Sequence, residues 1–121
     1  MNKPLSKTIV TIIFLMLGSA NASECNRNAS TLEIRDCLVG ELWAQDMKLE
    51  KVLNEALNSS SWVAKEIQVS QKSWSDYRDT HCSAVYALSG RGTIRLIEAP
   101  ACMIELTKQR INTLSKYFVT H

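Results

Sequence analysis

The chain has 121 residues, of which 14 are basic and 12 acidic, and its formal net charge is +2. This length fits a single domain, and charges so nearly balanced argue against the clustered basic face of a nucleic-acid-binding protein. No run of roughly 20 apolar residues, the length that crosses a bilayer as a helix, occurs in the sequence. We therefore expect neither a nucleic-acid partner nor stable membrane insertion.

Residues 1–22 have the pattern of a secretory signal peptide. Lys3 and Lys7 precede an apolar run from Ile9 to Leu17, and the small residues Ala20-Asn21-Ala22 provide a cleavage site. Cleavage removes both lysines and leaves 12 basic and 12 acidic residues, so the exported chain has a net charge of zero.

A capping box predicts the start of the first helix. In Ser30-Thr31-Leu32-Glu33, the serine hydroxyl can accept a hydrogen bond from the Glu33 backbone N–H, and the Glu33 carboxylate can accept one from the Ser30 backbone N–H. Apolar residues then recur with a helical period until the polar sequence that begins at Asn58. These residues are Ile34, Leu38, Leu42, Leu49, Val52, Leu53 and Ala56.

Two more helices follow on the same period. The second is predicted from about Trp62 to Tyr86, and Ser89–Thr93, which contains two glycines, separates it from the third. Ile94 opens the third helix, and Pro100 kinks or restarts it. No period-two alternation predicts a strand, so we predict an all-α fold, a single three-helix bundle with short loops.

The bundle comprises residues 23–121 and contains four cysteines, which in a small exported domain imply two structural disulfides. Four cysteines allow three pairings. Cys25 is placed to pair with Cys37, because the N-terminal arm can fold back along the first helix. Cys82 is placed to pair with Cys102, because only the loop and the adjoining helix ends separate them. This pairing is the one we favour.

Two other uses of the cysteines are less compatible with the sequence. Zinc binding is disfavoured because the cysteines are separated by 11, 44 and 19 residues, with no Cys-x-x-Cys pair. Lipid anchoring at Cys25 is disfavoured because Glu24 directly precedes it, unlike a bacterial lipobox. We predict no metal and no cofactor.

Polar residues lie on the arc of the second helix that should be buried. The arc contains Gln71, Trp74, Arg78 and Cys82. A buried guanidinium without a partner is very costly, so Arg78 needs one. In the interpretation that we favour, Arg78 pairs with Asp46 of the first helix, Gln71 bonds nearby and Trp74 covers the pair. In the alternative, Arg78 binds a carboxylate of another molecule.

Three residues are candidates for contact with a partner. Trp43 and Met47 lie well round the first helix from its apolar stripe. The favoured interpretation is that they pack against the third helix, and the alternative is that they form an exposed anchor for a protein partner. Arg91, between two glycines, is either a contact residue or part of a plain turn.

Catalysis has little support in the sequence. His81 adjoins a cysteine that is predicted to form a disulfide, and His121 is the last residue. No serine, histidine and acid are spaced in a way that suggests a triad. We predict that the protein is not an enzyme.

Two segments are the most specific motifs of the chain, Gln71-x-x-Trp74-x-x-Tyr77-Arg78-Asp79-x-x-Cys82 and Cys102-Met-Ile-Glu-Leu-Thr-Lys-Gln-Arg110. With the remaining cysteines they resemble the lysozyme inhibitor LprI-like family over nearly all of the mature chain. The resemblance implies a small, helical, disulfide-containing protein of the bacterial periplasm or cell envelope. The chain departs from the family where Glu50 follows Leu49 and where Leu53 replaces a tyrosine that relatives often have.

The sequence predicts a non-enzymatic protein-binding domain, with lysozyme-type muramidases as the first partner to test. A rigid helical surface, led by Arg91 or Trp43, would occlude an active-site cleft whose paired carboxylates attract a cation. The alternative is an envelope stress or assembly factor that binds another periplasmic protein or a peptidoglycan fragment and inhibits nothing. A cell-wall enzyme is a distant third interpretation. The oligomeric state is not predicted.

Overall fold

A computed structural model describes residue 25 and residues 28–120, and the predicted signal peptide lies outside these residues. The described chain forms three α-helices: α1 (Thr31–Ser59), α2 (Ala64–Leu88) and α3 (Arg95–Phe118). A single 3-10 turn, Ser61–Val63, connects α1 to α2. No strand occurs in the described part, and the predicted all-α architecture of three helices is confirmed.

The capping box at the start of α1 is formed as predicted. Ser30 Oγ accepts a hydrogen bond from the Glu33 backbone N–H at 3.3 Å, and Glu33 Oε2 accepts one from the Ser30 backbone N–H at 2.9 Å. These two bonds satisfy groups that the first turn of a helix leaves without a partner. From this cap α1 continues for 29 residues, a length of about 43 Å at the usual helical rise.

Ser60 fixes the corner between α1 and α2. Its backbone N–H donates to the Ala56 carbonyl at 2.9 Å, which closes the last turn of α1. Its side chain is buried and donates to the Phe118 carbonyl at 2.8 Å. This bond supplies a partner for one of the last carbonyls of α3, so the corner and the end of α3 are held together.

The connection between α2 and α3 turns at a glycine. Gly90 has φ +61°, a left-handed conformation that favours glycine. Its backbone N–H donates to the Ala87 carbonyl at 3.0 Å. α3 then runs without interruption from Arg95, with Pro100 inside it. Of the two predicted effects of Pro100, a kink or a restart, the restart is wrong. The proline lies in the second turn, where it removes a single intrahelical bond and leaves most of the helix intact.

α3 is the central helix of the bundle. Both α1 and α2 pack along it, whereas α1 and α2 contact each other over a much smaller region. Each helix contributes one buried residue to the core cluster, Leu49, Ile67 and Leu114. Seven half-buried residues surround this cluster: Val52, Leu53, Leu57, Val63, Trp74, Ile111 and Phe118. Burying a large apolar side chain stabilises a fold by about 1.5–3 kcal/mol.

Both disulfides have the predicted pairing. Cys25 is bonded to Cys37, which ties the N-terminal arm to α1, and Cys82 is bonded to Cys102, which joins the end of α2 to the start of α3. The Cys82 side chain is buried, whereas Cys37 is exposed. None of the helices in the described chain has the length and apolarity needed to cross a membrane.

Candidate functional site

Arg78 is the point where the three helices meet. Its side chain is only 16% exposed. Nη1 donates to Asp46 Oδ1 of α1 at 2.7 Å and to Thr107 Oγ1 of α3 at 3.0 Å. Thr107 is completely buried, and its hydroxyl donates to the Met103 carbonyl at 2.7 Å. The guanidinium therefore links all three helices through charge-assisted hydrogen bonds.

Trp74 lies against the same guanidinium. The Arg78 Cζ atom is 5.1 Å from the centroid of the indole, within the range of a cation–π contact. Arg78 Nε is buried without a hydrogen-bond partner, and Asp79 Oδ1 is 3.7 Å away from it, close enough for an ion pair but too far for a hydrogen bond. Arg78 is thus turned towards the interior, where Nη1 already has two partners.

Gln71 belongs to a second cluster, around Arg110 of α3. Arg110 Nε donates to Gln71 Oε1 at 2.9 Å, and Arg110 Nη2 donates to Ser70 Oγ at 2.7 Å. Burial lowers the pKa of the Arg110 guanidinium below its ordinary value, and an arginine still remains charged at neutral pH. The residues predicted to lie around Arg78 therefore form two clusters, because Gln71 binds Arg110 and not Arg78.

A buried carboxylate that the sequence did not single out pairs with a half-exposed lysine. Glu41 Oε1 lies 3.0 Å from Lys108 Nζ, and the Glu41 side chain is only 5% exposed. The available signal was the position of Glu41, three residues after Leu38 on the apolar arc of α1. Arg110 could have been found in the same way, because it lies four residues before Leu114 on α3.

Trp43 and Met47 do not pack against α3. Their side chains are 68% and 51% exposed, so the favoured interpretation of their packing is wrong. α1 buries a narrow arc because it packs mainly against α3 and contacts α2 much less. Trp43 and Met47 lie outside that arc, on a stripe of α1 that also carries two other exposed apolar residues. We call Leu32, Val39, Trp43 and Met47 together the Trp43 face.

Arg91 lies in the loop between α2 and α3 and is exposed. The base of this loop is fixed by Arg95, whose Nη1 donates to the Gly90 carbonyl at 3.1 Å and whose guanidinium lies over the Tyr86 ring. Ser89 Oγ also donates to Glu98. In the described chain Arg91 itself makes no hydrogen bond or ion pair, so its charge is available to a partner.

The model of the family described as lysozyme inhibitor LprI matches residues 23–114. The chain belongs to the lysozyme inhibitor LprI family. No curated protein and no solved structure matches the chain significantly.

The family segment contains every feature of the site. It includes both disulfides, the clusters of Arg78 and Arg110, the Trp43 face and Arg91. It ends at Leu114, a fully buried core residue. The LprI family match therefore covers both disulfides, both arginine clusters and the exposed candidate residues.

Proposed function

We propose that this LprI-family domain is an exported, non-enzymatic protein that binds lysozyme-type muramidases and inhibits them by covering the active-site cleft. The observation that carries the proposal is the family match over residues 23–114, since the family is described as one of lysozyme inhibitors. The two disulfides fit the oxidising compartment in which such a protein would meet its target.

The fold supports occlusion because hydrogen bonds and disulfides tie its helices together. Partly buried hydrogen bonds from Arg78 and Arg110 connect the helices. One disulfide ties the N-terminal arm to α1, and the other ties α2 to α3. A surface that is already ordered loses little conformational entropy when it binds. Such a surface can therefore use most of its contact energy for affinity.

Two exposed residues, on different elements of the fold, support the proposal. Trp43 has the large, exposed aromatic ring that commonly dominates the binding energy of a protein interface. Arg91 has no hydrogen-bond or ion-pair partner among the described residues, and it lies in a loop that Arg95 anchors. A muramidase cleft contains paired carboxylates, which attract such a cation.

A turbidity assay tests the proposal. Clearing of peptidoglycan by several lysozyme types is followed with and without an equimolar amount of the oxidised mature protein. The control is the same protein after reduction, alkylation and removal of the reductant, so that the disulfides of the lysozyme stay intact. We expect only the oxidised form to slow clearing. Unchanged clearing at high excess would refute inhibition and favour the alternative of an envelope factor that binds another periplasmic protein or a peptidoglycan fragment.

Arg91→Ala tests whether the loop contributes to inhibition. We expect weaker inhibition with an unchanged melting temperature, because Arg91 has no partner in the described part of its own chain. Lys65→Ala is the matched control, since Lys65 is an exposed cation at the opposite end of α2. Equal inhibition by both variants would exclude Arg91 from the contact.

A further inference from the structure

Arg91 is the one lysine or arginine outside the helices among the residues that the structure describes. Every other lysine and arginine of this part of the chain lies within α1, α2 or α3. Arg91 is exposed, and it stands between Gly90 and Gly92 in the loop that joins α2 to α3. Exposed loop tips with small residues are the preferred places where proteases cut a folded protein.

The main chain around Arg91 is held by few bonds. Neither the main chain nor the side chain of Arg91 makes a hydrogen bond within the described chain. The Gly92 N–H donates to the Ser89 carbonyl at 3.3 Å, which is longer than most bonds of this kind, and the Gly90 N–H donates to the Ala87 carbonyl at 3.0 Å. Because glycine restricts the backbone least, the peptide on either side of Arg91 can extend once these bonds open.

A protease binds its substrate as an extended strand, so the segment must open locally before it is cut. The rate of cutting then follows how often the segment opens. Opening this loop breaks the two backbone bonds and the side-chain bonds at its base, whereas opening the middle of a helix breaks a continuous series of backbone bonds. Lys72 shows the contrast, because its side chain is 76% exposed but lies inside α2.

The nearest other arginine is not free to enter a protease pocket. Arg95 begins α3 and is half-buried. Its Nη1 atom donates to the Gly90 carbonyl at 3.1 Å, and its Cζ atom lies 5.0 Å from the centroid of the Tyr86 ring. Arg91 is therefore the side chain of this loop that a specificity pocket can take.

The Cys82–Cys102 disulfide spans the loop. A cut between Arg91 and Gly92 would leave one piece that contains α1 and α2 and a second piece that contains all of α3. The disulfide joins the two pieces, because each contributes one of its cysteines.

The contacts that pack α3 against the other helices do not involve the loop. Arg78 of α2 donates to Thr107 of α3 at 3.0 Å, and Arg110 of α3 donates to Gln71 of α2 at 2.9 Å. Both bonds lie on the two sides of the cut and remain possible after it. We therefore expect the helices to keep their packing when the loop is opened.

We propose that the Arg91–Gly92 peptide bond is a cleavage site for an arginine-directed serine protease, whose specificity pocket carries a carboxylate that pairs with the guanidinium. Water adds across the bond, so that the carbonyl carbon of Arg91 becomes a carboxylate and the nitrogen of Gly92 becomes an ammonium group. The product is a folded two-chain protein joined by the disulfide. The cut removes the closed loop while the helices stay packed, and it does not depend on lysozyme inhibition.

Limited digestion of the oxidised mature protein with trypsin tests the proposal. We expect one early cut among the described residues, and mass spectrometry should place it after Arg91. This cut should be at least about tenfold faster than any cut inside a helix, a ratio that corresponds to about 1.4 kcal/mol of opening free energy. The product should run as one band without reductant and as two bands with it. Its far-ultraviolet spectrum should match that of the intact protein.

Matched variants separate the specificity of the cut from the shape of the loop. Arg91→Gln should remove the early cut. Arg91→Lys should keep it with trypsin and lose it with a protease that accepts arginine alone. Gly92→Pro keeps the arginine but puts a proline nitrogen into the bond to be cut, so it should also resist. Lys72→Gln is the control for an exposed helical cation, and it should leave the cut after Arg91 unchanged.

The outcomes decide both parts of the proposal. An early cut inside a helix, or an Arg91→Gln variant that is cut in the loop as fast as the unmodified protein, would overturn the site. A cut after Arg91 that abolishes the helical spectrum of the oxidised protein would overturn the folded two-chain product. A single early cut after Arg91 with an unchanged spectrum would support both.

Discussion

At the scale of single residues, Arg78 shows how a charge becomes part of a small core. Its Nη1 atom bonds to a carboxylate on α1 and to a buried hydroxyl on α3, while the indole of Trp74 lies against the guanidinium. Burial of the charge is tolerated because these groups replace water. Asp46 is 43% exposed, so the pair remains partly hydrated on one side.

Arg78→Ala should therefore destabilise the fold through loss of these contacts. We expect the free energy of unfolding to fall by about 1.5–3 kcal/mol, the usual range for hydrogen bonds to a charged group. Urea denaturation measures the change. Lys72→Ala is the control, because Lys72 pairs with Asp76 on the surface, and its effect should be within about 0.5 kcal/mol. Normal unfolding of Arg78→Ala together with a loss of lysozyme binding would contradict this structural role.

Burial energetics predicted a partner for Arg78, but not the whole arrangement around it. Helical periodicity places Gln71 and Arg78 on one arc of α2 and says nothing about which residue of a neighbouring helix each one meets. The rotation of α3 about its axis decides that, and it brings Arg110 to Gln71. For the same reason the ion pair of Glu41 with Lys108 could not be assigned from local spacing.

The glycines allow a matched test of backbone conformation. Gly40→Ala should raise the free energy of unfolding by about 0.5–1 kcal/mol, because alanine is favoured inside a helix and meets nothing here. Gly90→Ala should lower it by about 1–2 kcal/mol, because φ is +61° there. Thermal or urea unfolding of both variants checks the opposite signs. A destabilised Gly40→Ala would show that the fold itself needs the glycine.

At the scale of helices, local signals predicted most of what the structure shows. The Ser30 capping box marks the start of α1, and the polar residues after Asn58 lie at its end. The spacing of the apolar residues predicted three helices, and chain geometry favoured the observed disulfides. The central position of α3 was not predicted, because periodicity identifies a buried arc but not how many neighbours cover it. The exposure of Trp43 follows from that position.

Ser60 tests how strongly the helix ends are coupled. Ser60→Ala removes the donor that binds the Phe118 carbonyl across the corner of the bundle. We expect the free energy of unfolding to fall by about 1–2 kcal/mol, because a partly buried carbonyl loses its partner. Ser73→Ala, at an exposed position of α2, should have an effect within about 0.5 kcal/mol. Similar values for the two variants in urea denaturation would show that water replaces the Ser60 bond.

At the scale of the whole molecule, the central position of α3 separates stability from binding. The buried arcs of α1 and α2 face α3 and hold the fold together. The outer side of α1 is left free and carries apolar residues without a partner in the described chain. Substitutions on this outer side should therefore change binding with little effect on folding. Substitutions in the clusters of Arg78 and Arg110 should lower the stability of the fold.

The two disulfides should differ in their contribution to the whole molecule. They close loops with sequence separations of 12 and 20, for which chain entropy predicts similar contributions of about 3 kcal/mol. Their surroundings differ, because Cys82 is 1% exposed and a serine there would bury a new hydroxyl without an assured partner. A serine at the exposed Cys37 position would have water as a hydrogen-bond partner.

Cys82→Ser/Cys102→Ser should therefore lower the free energy of unfolding by about 3–5 kcal/mol, and Cys25→Ser/Cys37→Ser by about 2–3 kcal/mol. Urea denaturation of the two double variants measures both changes. In mild reductant, alkylation and mass spectrometry should detect Cys25 and Cys37 first, because a reductant reaches an exposed sulfur more readily. Lysozyme binding should survive the loss of the Cys25–Cys37 bond, because Trp43 lies beyond it on a helix that α3 holds in place. Equal losses of stability, or earlier reduction of the Cys82–Cys102 bond, would show that burial does not make the two disulfides differ in stabilising effect or in reactivity.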